Sequence, residues 1–311
     1  MANLLHKIAF LKRVAYKMDH LDKTLDRSNQ DFARYYTLKQ QLTQSILHSR
    51  ESGIAANGLP DTGIVISLTT HGTRIHTVCL AIESVFQQTY KPDRVVLYLG
   101  DKEFSDQPLP IALQRQMERG LEIRYVEDIG PHTKLIPALR EFPEASVITI
   151  DDDCLYPFNM IERLVRLHEA YPDTVCCSQS LIMAKDGSGE LKPYKSFASC
   201  FPANDLISDS LLAEGYGGIL YPPHVMPEEV FDVGLLKELS PHADDIWFKA
   251  MELLAGIPVV QMARNSQWFH TMTIVWEEQG NGLLHYNVED DGNDIQFKNV
   301  FDHFDLYGKL P

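Results

Sequence analysis

The stretch VITIDDDCLYP, Val147 to Pro157, decides how the rest of the chain is read. Four strand-forming residues run directly into three consecutive carboxylates, with a cysteine, a leucine and a tyrosine close behind. Adjacent negative charges repel one another, and each resists burial unless something positive meets it. A single aspartate would suit a solvated turn with an acidic helix cap. Three after an apolar run fit better as oxygen ligands for Mg2+ or Mn2+. Those ions take few protein ligands and complete their shell with water and substrate phosphates.

Upstream, strand and helix alternate. IVISLTT (Ile64–Thr70) is an apolar strand, and HTVCLAIESVFQQT places Val78, Ala81, Ile82, Val85 and Phe86 at helical spacing. KPDRVVLYLG is a turn feeding a second strand, and PIALQRQMERG is a helix that stops at Gly120. LEIRYVED follows as a third strand, TKLIPALREF as a short helix and ASVITI as a fourth strand. Units of about thirty residues in this order predict an α/β fold, a mainly parallel central sheet flanked by helices. Such sheets bind ligands beyond the carboxyl ends of their strands. Thr69, Thr70, Gly100, Asp101, Glu127, Asp128 and Asp151 to Asp153 all fall at that edge.

Downstream the pattern loosens. NMIERLVRLHEAY is a helix, TVCCSQSLIMA a strand or a pair of strands, and EGYGGILYPP a glycine-rich loop passing a bound group. PHADDIWFKAMELLAG is a helix opened by two carboxylates, and IPVVQM is a further strand. The tail NGLLHYNVEDDGNDIQFKNVF has no clear period.

Composition narrows the class. With 311 residues, 44% of them apolar and 23% charged, the chain reads as an ordinary globular protein of one large or two modest domains. A formal charge of −15 disfavours nucleic acid as a partner. The charge is uneven: residues 1–50 carry nine Lys/Arg against four Asp, net +5, which leaves −20 for the remainder. Leu4, Ile8, Leu11, Ala15, Met18, Leu21 and Leu25 repeat at helical spacing, so residues 1–58 are expected to form an N-terminal helical arm ending in the linker ESGIAANGLPDTG. The arm packs on the main domain or a second subunit, or lies on an anionic membrane surface; Asp19, Asp22 and Asp26 dilute its basic face and favour packing. Lys7, Lys12, Arg13 and Lys17 interrupt the apolar positions of the first residues, and no small-residue cleavage site follows, unlike a signal peptide. No run reaches the roughly 18 to 20 apolar residues of a membrane span. Five cysteines, an odd number with no CxxC, point to a reduced, cytoplasmic protein.

Several familiar sites are excluded. There is no GxxxxGK[ST] phosphate loop, no GxGxxG opening a helix after the first strand, and no calcium loop with alternating ligands and a central glycine. The residues SLTTHGTRI, LAIESVFQQTYKPDRVVLYL and GLEIRYVEDIGPHTKLIPALREFPEASVITIDDDCLYP instead resemble the nucleotide-binding half of GT-A glycosyltransferases, near the family 2 group of bacterial polysaccharide enzymes. The resemblance covers about residues 62 to 260. It implies a GT-A domain over 59–311, with a nucleotide-binding half at about 62–153 and an acceptor half at about 154–311.

What the resemblance implies is metal-dependent transfer of a sugar from a nucleotide-sugar donor to a glycan or lipid-linked saccharide of a bacterial envelope. The first acid of the cluster, Asp151, is expected on the nucleoside and as a further metal ligand, Asp153 on the metal, and Asp152 on either. Thr69, Thr70 and Arg74 are expected on base and ribose, Asp101 on the base, and Lys134 on the acids or the diphosphate. His270 is a candidate third metal ligand, with His285 in a similar late position, and Trp247, Trp268 and Trp276 are candidates to stack on sugar rings or to fill the core. The family's general base lies at a helix start within an acid pair; Asp245 matches best, with Asp244 in reserve. Capping is the plainer role for such acids. Two other functions compete: a sugar-nucleotide pyrophosphorylase, which would want a more basic, glycine-rich loop after the first strand, and a metal-dependent glycan-binding module with no use for a base.

Overall fold

The computed structural model describes residues 29–56, 63–263, 272–275, 277, 287 and 291–311. Helix α1 (29–48) precedes β1 (Gly63–Thr70), α2 (Val78–Phe86), β2 (Arg94–Gly100), the single turn α3 (Asp101–Phe104) and α4 (Ile111–Met117). Then come β3 (Leu121–Val126), α5 (Ile136–Glu141), β4 (Ala145–Thr149), β5 (Cys154–Leu155) and α6 (Met160–Ala170). Short strands follow: β6 (Val175–Cys177), β7 (Ser180–Ile182), β8 (Ala198–Ser199), β9 (Leu206–Ser208), β10 (Leu211–Ala213) and β11 (Ile219–Tyr221). The chain closes with α7 (Val233–Leu239), α8 (Asp244–Ala255), β12 (Val259–Gln261), β13 (Thr273–Ile274) and α9 (Gly292–Phe304).

Eight strands form one sheet in the order β3-β2-β1-β4-β11-β6-β12-β9. The four longest, β3-β2-β1-β4, are parallel, as the alternation of strand and helix predicts. Beyond them the sheet is mixed. β11 runs antiparallel between β4 and β6, β12 pairs parallel with β6, and β9 closes the edge antiparallel. The segment read as a glycine-rich loop therefore supplies a central strand. Only three of its residues are extended, and Gly218 just before them has φ +89°, so periodicity had nothing to register.

Side chains alternate between two cores. Ile64, Ile66 and Leu68 of β1 face one apolar layer with α2, α4 and α6, whereas Val65, Val96, Tyr98 and Val147 face the other, with α5, α7, α8 and α9. Period-two burial on both faces makes these strands continuous apolar runs. Helix α1 belongs to the first layer through Tyr35, Leu42 and Ile46, so this part of the expected N-terminal arm packs on the sheet's own helices. Residues 1–28 lie outside the described residues.

A buried ion pair ties α1 to that layer. Glu83 of α2 accepts two hydrogen bonds from Arg119, at 2.8 and 3.0 Å, one from Ser45 of α1 at 2.6 Å, and one from Gln116 at 3.1 Å. Arg119 also donates to the Glu51 carbonyl, and the Gly53 N–H donates to the Arg119 carbonyl, which draws the segment after α1 down onto α4. A Cβ on Gly53 would sit 2.0 Å from the Phe86 ring, so only glycine permits that approach. Removing one partner leaves the other charge buried and unpaired. Glu83→Ala should therefore lower unfolding free energy by roughly 3–5 kcal/mol, and Ser45→Ala by about 1 kcal/mol, in urea titrations at neutral pH.

Candidate active site

The sheet places a cleft by its order. From β1 the chain steps outward through β2 and β3, then returns to the other side of β1 for β4, so the connections diverge at the carboxyl ends of β1 and β4. That switch point is where open α/β sheets leave a crevice. Thr69 and Thr70 end β1, and Asp151 to Asp153 follow β4.

Two side-chain cations meet the three carboxylates. Arg74, on the short turn after β1, pairs with Asp152 at 2.7 Å and Asp153 at 3.2 Å. Thr70 donates a hydrogen bond to the other oxygen of Asp152 at 2.6 Å. Lys134, at the end of the turn after β3, pairs with Asp151 at 2.7 Å and with Asp244 at 2.8 Å. Ser67 of β1 donates to the Lys134 carbonyl and pins that turn to the sheet. Burial alone would depress the Lys134 ammonium; Asp151, Asp244 and Asp245 more than reverse this and hold it well above its ordinary value.

The three acids differ in access. Asp152 is 7% exposed and committed to Arg74 and Thr70, while Asp151 and Asp153 keep 28% and 25% of their side chains open to the cleft. Burial and then the Asp151 charge push the Asp153 carboxyl up to about 6 against the pull of Arg74. Arg74 and Lys134 thus leave negative charge over at Asp151 and Asp153. These two carboxylates fit a divalent ion of the Mg2+ or Mn2+ type, which needs one or two of them plus water and phosphate oxygens. Among the described residues no group of three or more His, Cys, Asp or Glu is assembled as a metal cage. His270 and His285 lie outside the described residues, as do Trp268 and Trp276.

The second acid pair opens α8. Asp244 is buried against Lys134 and beside His132; burial would raise its carboxyl, but Lys134 and His132 hold it below the ordinary value. His132 is itself buried, packs edge-on to Phe248 at 5.8 Å, and is lowered by burial to about 4. Asp245 is half-buried and accepts the Gly215 N–H at 3.2 Å to each oxygen. Burial and the neighbouring Asp244 push its carboxyl well up. Environments that drive two adjacent acids apart in this way separate an ionised clamp from a more basic carboxylate. Gly215 is the glycine that matters here: a Cβ would lie 2.5 Å from Lys134 Nζ and 3.1 Å from Asp245 Oδ1. Gly217 and Gly218 of the same segment pack instead against Ser178 and Met160.

Two cavities meet at these acids. One, of about 440 Å3, has Thr69, Thr70, Arg74, Asp128 and Lys134 in its walls; the other, of about 290 Å3, has Tyr194, Tyr216, Asp245 and Asn293. Asp151, Asp153 and Asp244 line both. Asp101 is not brought to the cleft. It is exposed, its carboxylate accepts the Lys102 N–H at 2.7 Å, and the acid at the mouth is Asp128 from the next strand. Strand-end position nominates both acids equally, and only the turn after β3, where Asp128 accepts the Gly130 N–H at 2.8 Å, decides between them. Trp247 takes the core role: it is fully buried, with its indole N–H toward the Val230 carbonyl at 3.4 Å. Tyr194 and Asn293 carried no signal in the sequence, because neither sits in a recognisable motif. β13 pairs with β5, and the Val275 N–H donates to the Asp153 carbonyl at 2.7 Å, fixing the backbone of the acid cluster from outside.

No family model matches the chain, and no curated protein matches it. Among solved structures it is similar to the mannosyltransferase PcManGT from Pyrobaculum calidifontis in complex with GDP-Man and Mn2+, with 15% identity and a TM-score of 0.41. The match covers 75% of this chain and 62% of that one, less than two thirds of the mannosyltransferase's length.

Lys134→Met would leave Asp151 and Asp244 facing each other without a cation. The expected loss is roughly 3–5 kcal/mol of stability at neutral pH. Asp244 is held below its ordinary 3.8, so its share of that stability is complete above this pH and disappears as the pH falls through the lower folded value. The gap between wild type and variant should therefore narrow on acidification, in denaturant titrations run from pH 7 down to pH 3.

Proposed function

We propose that the protein is a metal-dependent glycosyltransferase that moves a sugar from a nucleotide-sugar donor to a saccharide acceptor. One observation carries the reading. Two acid pairs on different elements, Asp151/Asp153 after β4 and Asp244/Asp245 opening α8, face each other across Lys134 where two cavities join. The donor occupies the larger cavity, with its base and ribose toward Thr69, Thr70 and Asp128 and its diphosphate toward Asp151, Asp153 and Lys134. Asp151 and Asp153 would hold Mn2+ or Mg2+, which would supply stabilisation of the charge that builds on the diphosphate leaving group. Lys134 adds a fixed positive charge on the same side. Asp245, raised by its surroundings and aimed by the Gly215 N–H, takes the proton of the acceptor hydroxyl, so the transfer proceeds with inversion. Residues 62–153 are then the donor half and 154–311 the acceptor half. Arg74 and Asp152, paired with each other, form part of the wall of the same cavity.

The pyrophosphorylase reading is the weaker one, because the only arginine of the loop after β1 is spent on Asp152 and Asp153. A glycan-binding module would give Asp245 no task. The resemblance to polysaccharide enzymes supports a glycan or lipid-linked acceptor in envelope synthesis at the cytoplasmic face of the membrane. Residues 1–28, with six Lys/Arg against three Asp, would be the contact with that surface. No described helix is long and apolar enough to cross a membrane. All five cysteines are free and buried, as suits a reducing compartment.

Titration calorimetry with a panel of nucleoside diphosphates tests the reading. One nucleotide should bind in the presence of Mn2+, and Asp153→Ala or a chelator should weaken it at least about tenfold, the loss of a charge-assisted contact. If no nucleotide binds with or without the ion, the glycosyltransferase assignment fails. Asp245→Asn should leave nucleotide affinity nearly unchanged but slow transfer by about 10²–10⁴-fold, the contribution of a positioned base. Unaltered transfer by Asp245→Asn would remove Asp245 from that role.

A further inference from the structure

The smaller cavity has a chemistry of its own. Its walls carry Asp151, Asp153, Asp244 and Asp245, and among the described residues no lysine or arginine lines it. At about 290 Å3 it lies at the bottom of the usual range for small-molecule sites, roughly 300–1,000 Å3, which is room for one sugar residue. Asn293, in the first turn of α9, is 6% exposed and lines the cavity. Tyr194 lines the same cavity, and the buried Oδ1 of Asn293 has no hydrogen-bond partner. Buried polar atoms are nearly always satisfied, so an orphan acceptor in a cavity wall marks the place of a ligand's donor. Tyr194 is held in position by its own N–H, which donates to Asp294 at 2.7 Å, and by the rings of Phe197 and Phe297. Opposite it, the Tyr216 hydroxyl donates to Gln179 at 3.0 Å.

We propose that this cavity selects an acceptor whose terminal sugar carries no negative charge, a neutral or amine-bearing pyranoside, with Asn293 Oδ1 accepting a hydroxyl hydrogen bond and Tyr194 and Tyr216 flanking the ring. The inference rests on the glycosyltransferase reading and deepens it. Among the described residues, five carboxylates, Asp151 to Asp153, Asp244 and Asp245, stand against two side-chain cations, Arg74 and Lys134. A divalent ion and the diphosphate of a donor nearly cancel each other, so the excess stays negative in the assembled complex. A carboxylate or phosphate on the acceptor would be brought into like charge in a partly desolvated site, where repulsion is least screened. An ammonium or a neutral hydroxyl face meets no such barrier. Ile274, 45% exposed on β13 at the cavity wall, is where one added cation would change the balance.

Saturation-transfer NMR on the full chain, with Mg2+ and the nucleoside diphosphate that binds it, tests the inference. The probes are the methyl glycosides of glucose, galactose and mannose, then glucosamine, glucuronate and glucose 6-phosphate. At least one neutral glycoside or glucosamine should bind about tenfold or more tightly than either anion, the scale of one like-charge contact. Asn293→Ala should weaken that binding several-fold while leaving nucleotide affinity nearly unchanged. Ile274→Lys, a surface change that does not depend on Asn293, should raise glucuronate affinity and close the gap. Glucuronate or glucose 6-phosphate binding as tightly as the neutral sugars overturns the inference. So does nucleotide binding with no pyranoside bound at all, and in both cases the glycosyltransferase reading survives. Failure of every nucleotide to bind removes both.

Discussion

The structure turns on where Lys134 sits. A single buried ammonium is shared by Asp151 at the end of a parallel strand and by Asp244 at the start of a helix nearly one hundred positions later in the chain. Neither carboxylate could be desolvated at such short range to the other without it. Gly215 leaves room for that ammonium, and its N–H aims Asp245 at the same point. Charge compensation therefore joins the two parts of the fold.

The second cation, Arg74, does a different job. By closing on Asp152 and Asp153 with help from Thr70, it makes the middle acid part of the wall and leaves the flanking acids facing the cleft. The three aspartates are one motif in the sequence and two environments in space. Two nearby acids are likewise separated on α8, where Asp244 is stabilised in its ionised form and Asp245 is made more basic. Sites that must bind a cation and move a proton within a few ångströms need such a division of labour among chemically identical groups.

The parallel half of the sheet was legible because β1, β2 and β4 are continuous apolar runs, β3 alternates apolar and charged residues as an edge strand, and helices separate them. The acid cluster was legible because three carboxylates cannot follow such a strand without a reason. Elsewhere the physics hid the signal. α9 buries Asn293, Gln296, Phe297, Val300 and Phe301, a regular helical stripe, but two of those five residues are polar, so hydropathy showed no period. β11 is too short and too close to glycine to read as a strand. Asp101 and Asp128 occupy equivalent strand ends, and a turn stabilised by one backbone hydrogen bond selects the second. Lys134 gave no warning of burial, since a lysine's environment is set by residues distant in sequence. Asn293 and Tyr194, about one hundred residues apart, line one cavity and could be found only in three dimensions.

The central claim is that Arg74 and Lys134 leave a charge deficit at Asp151 and Asp153 which a divalent ion and a nucleoside diphosphate complete together. Anomalous diffraction at the manganese edge, from crystals grown with Mn2+ and the nucleotide that binds, tests it most directly. The account predicts a single strong peak within coordination distance, about 2.0–2.2 Å, of carboxylate oxygens of Asp151 or Asp153 and of the diphosphate, with the Arg74–Asp152 pair undisturbed. A diphosphate bound by Lys134 and Arg74 with no peak at the acids, or a peak elsewhere in the molecule, would contradict it.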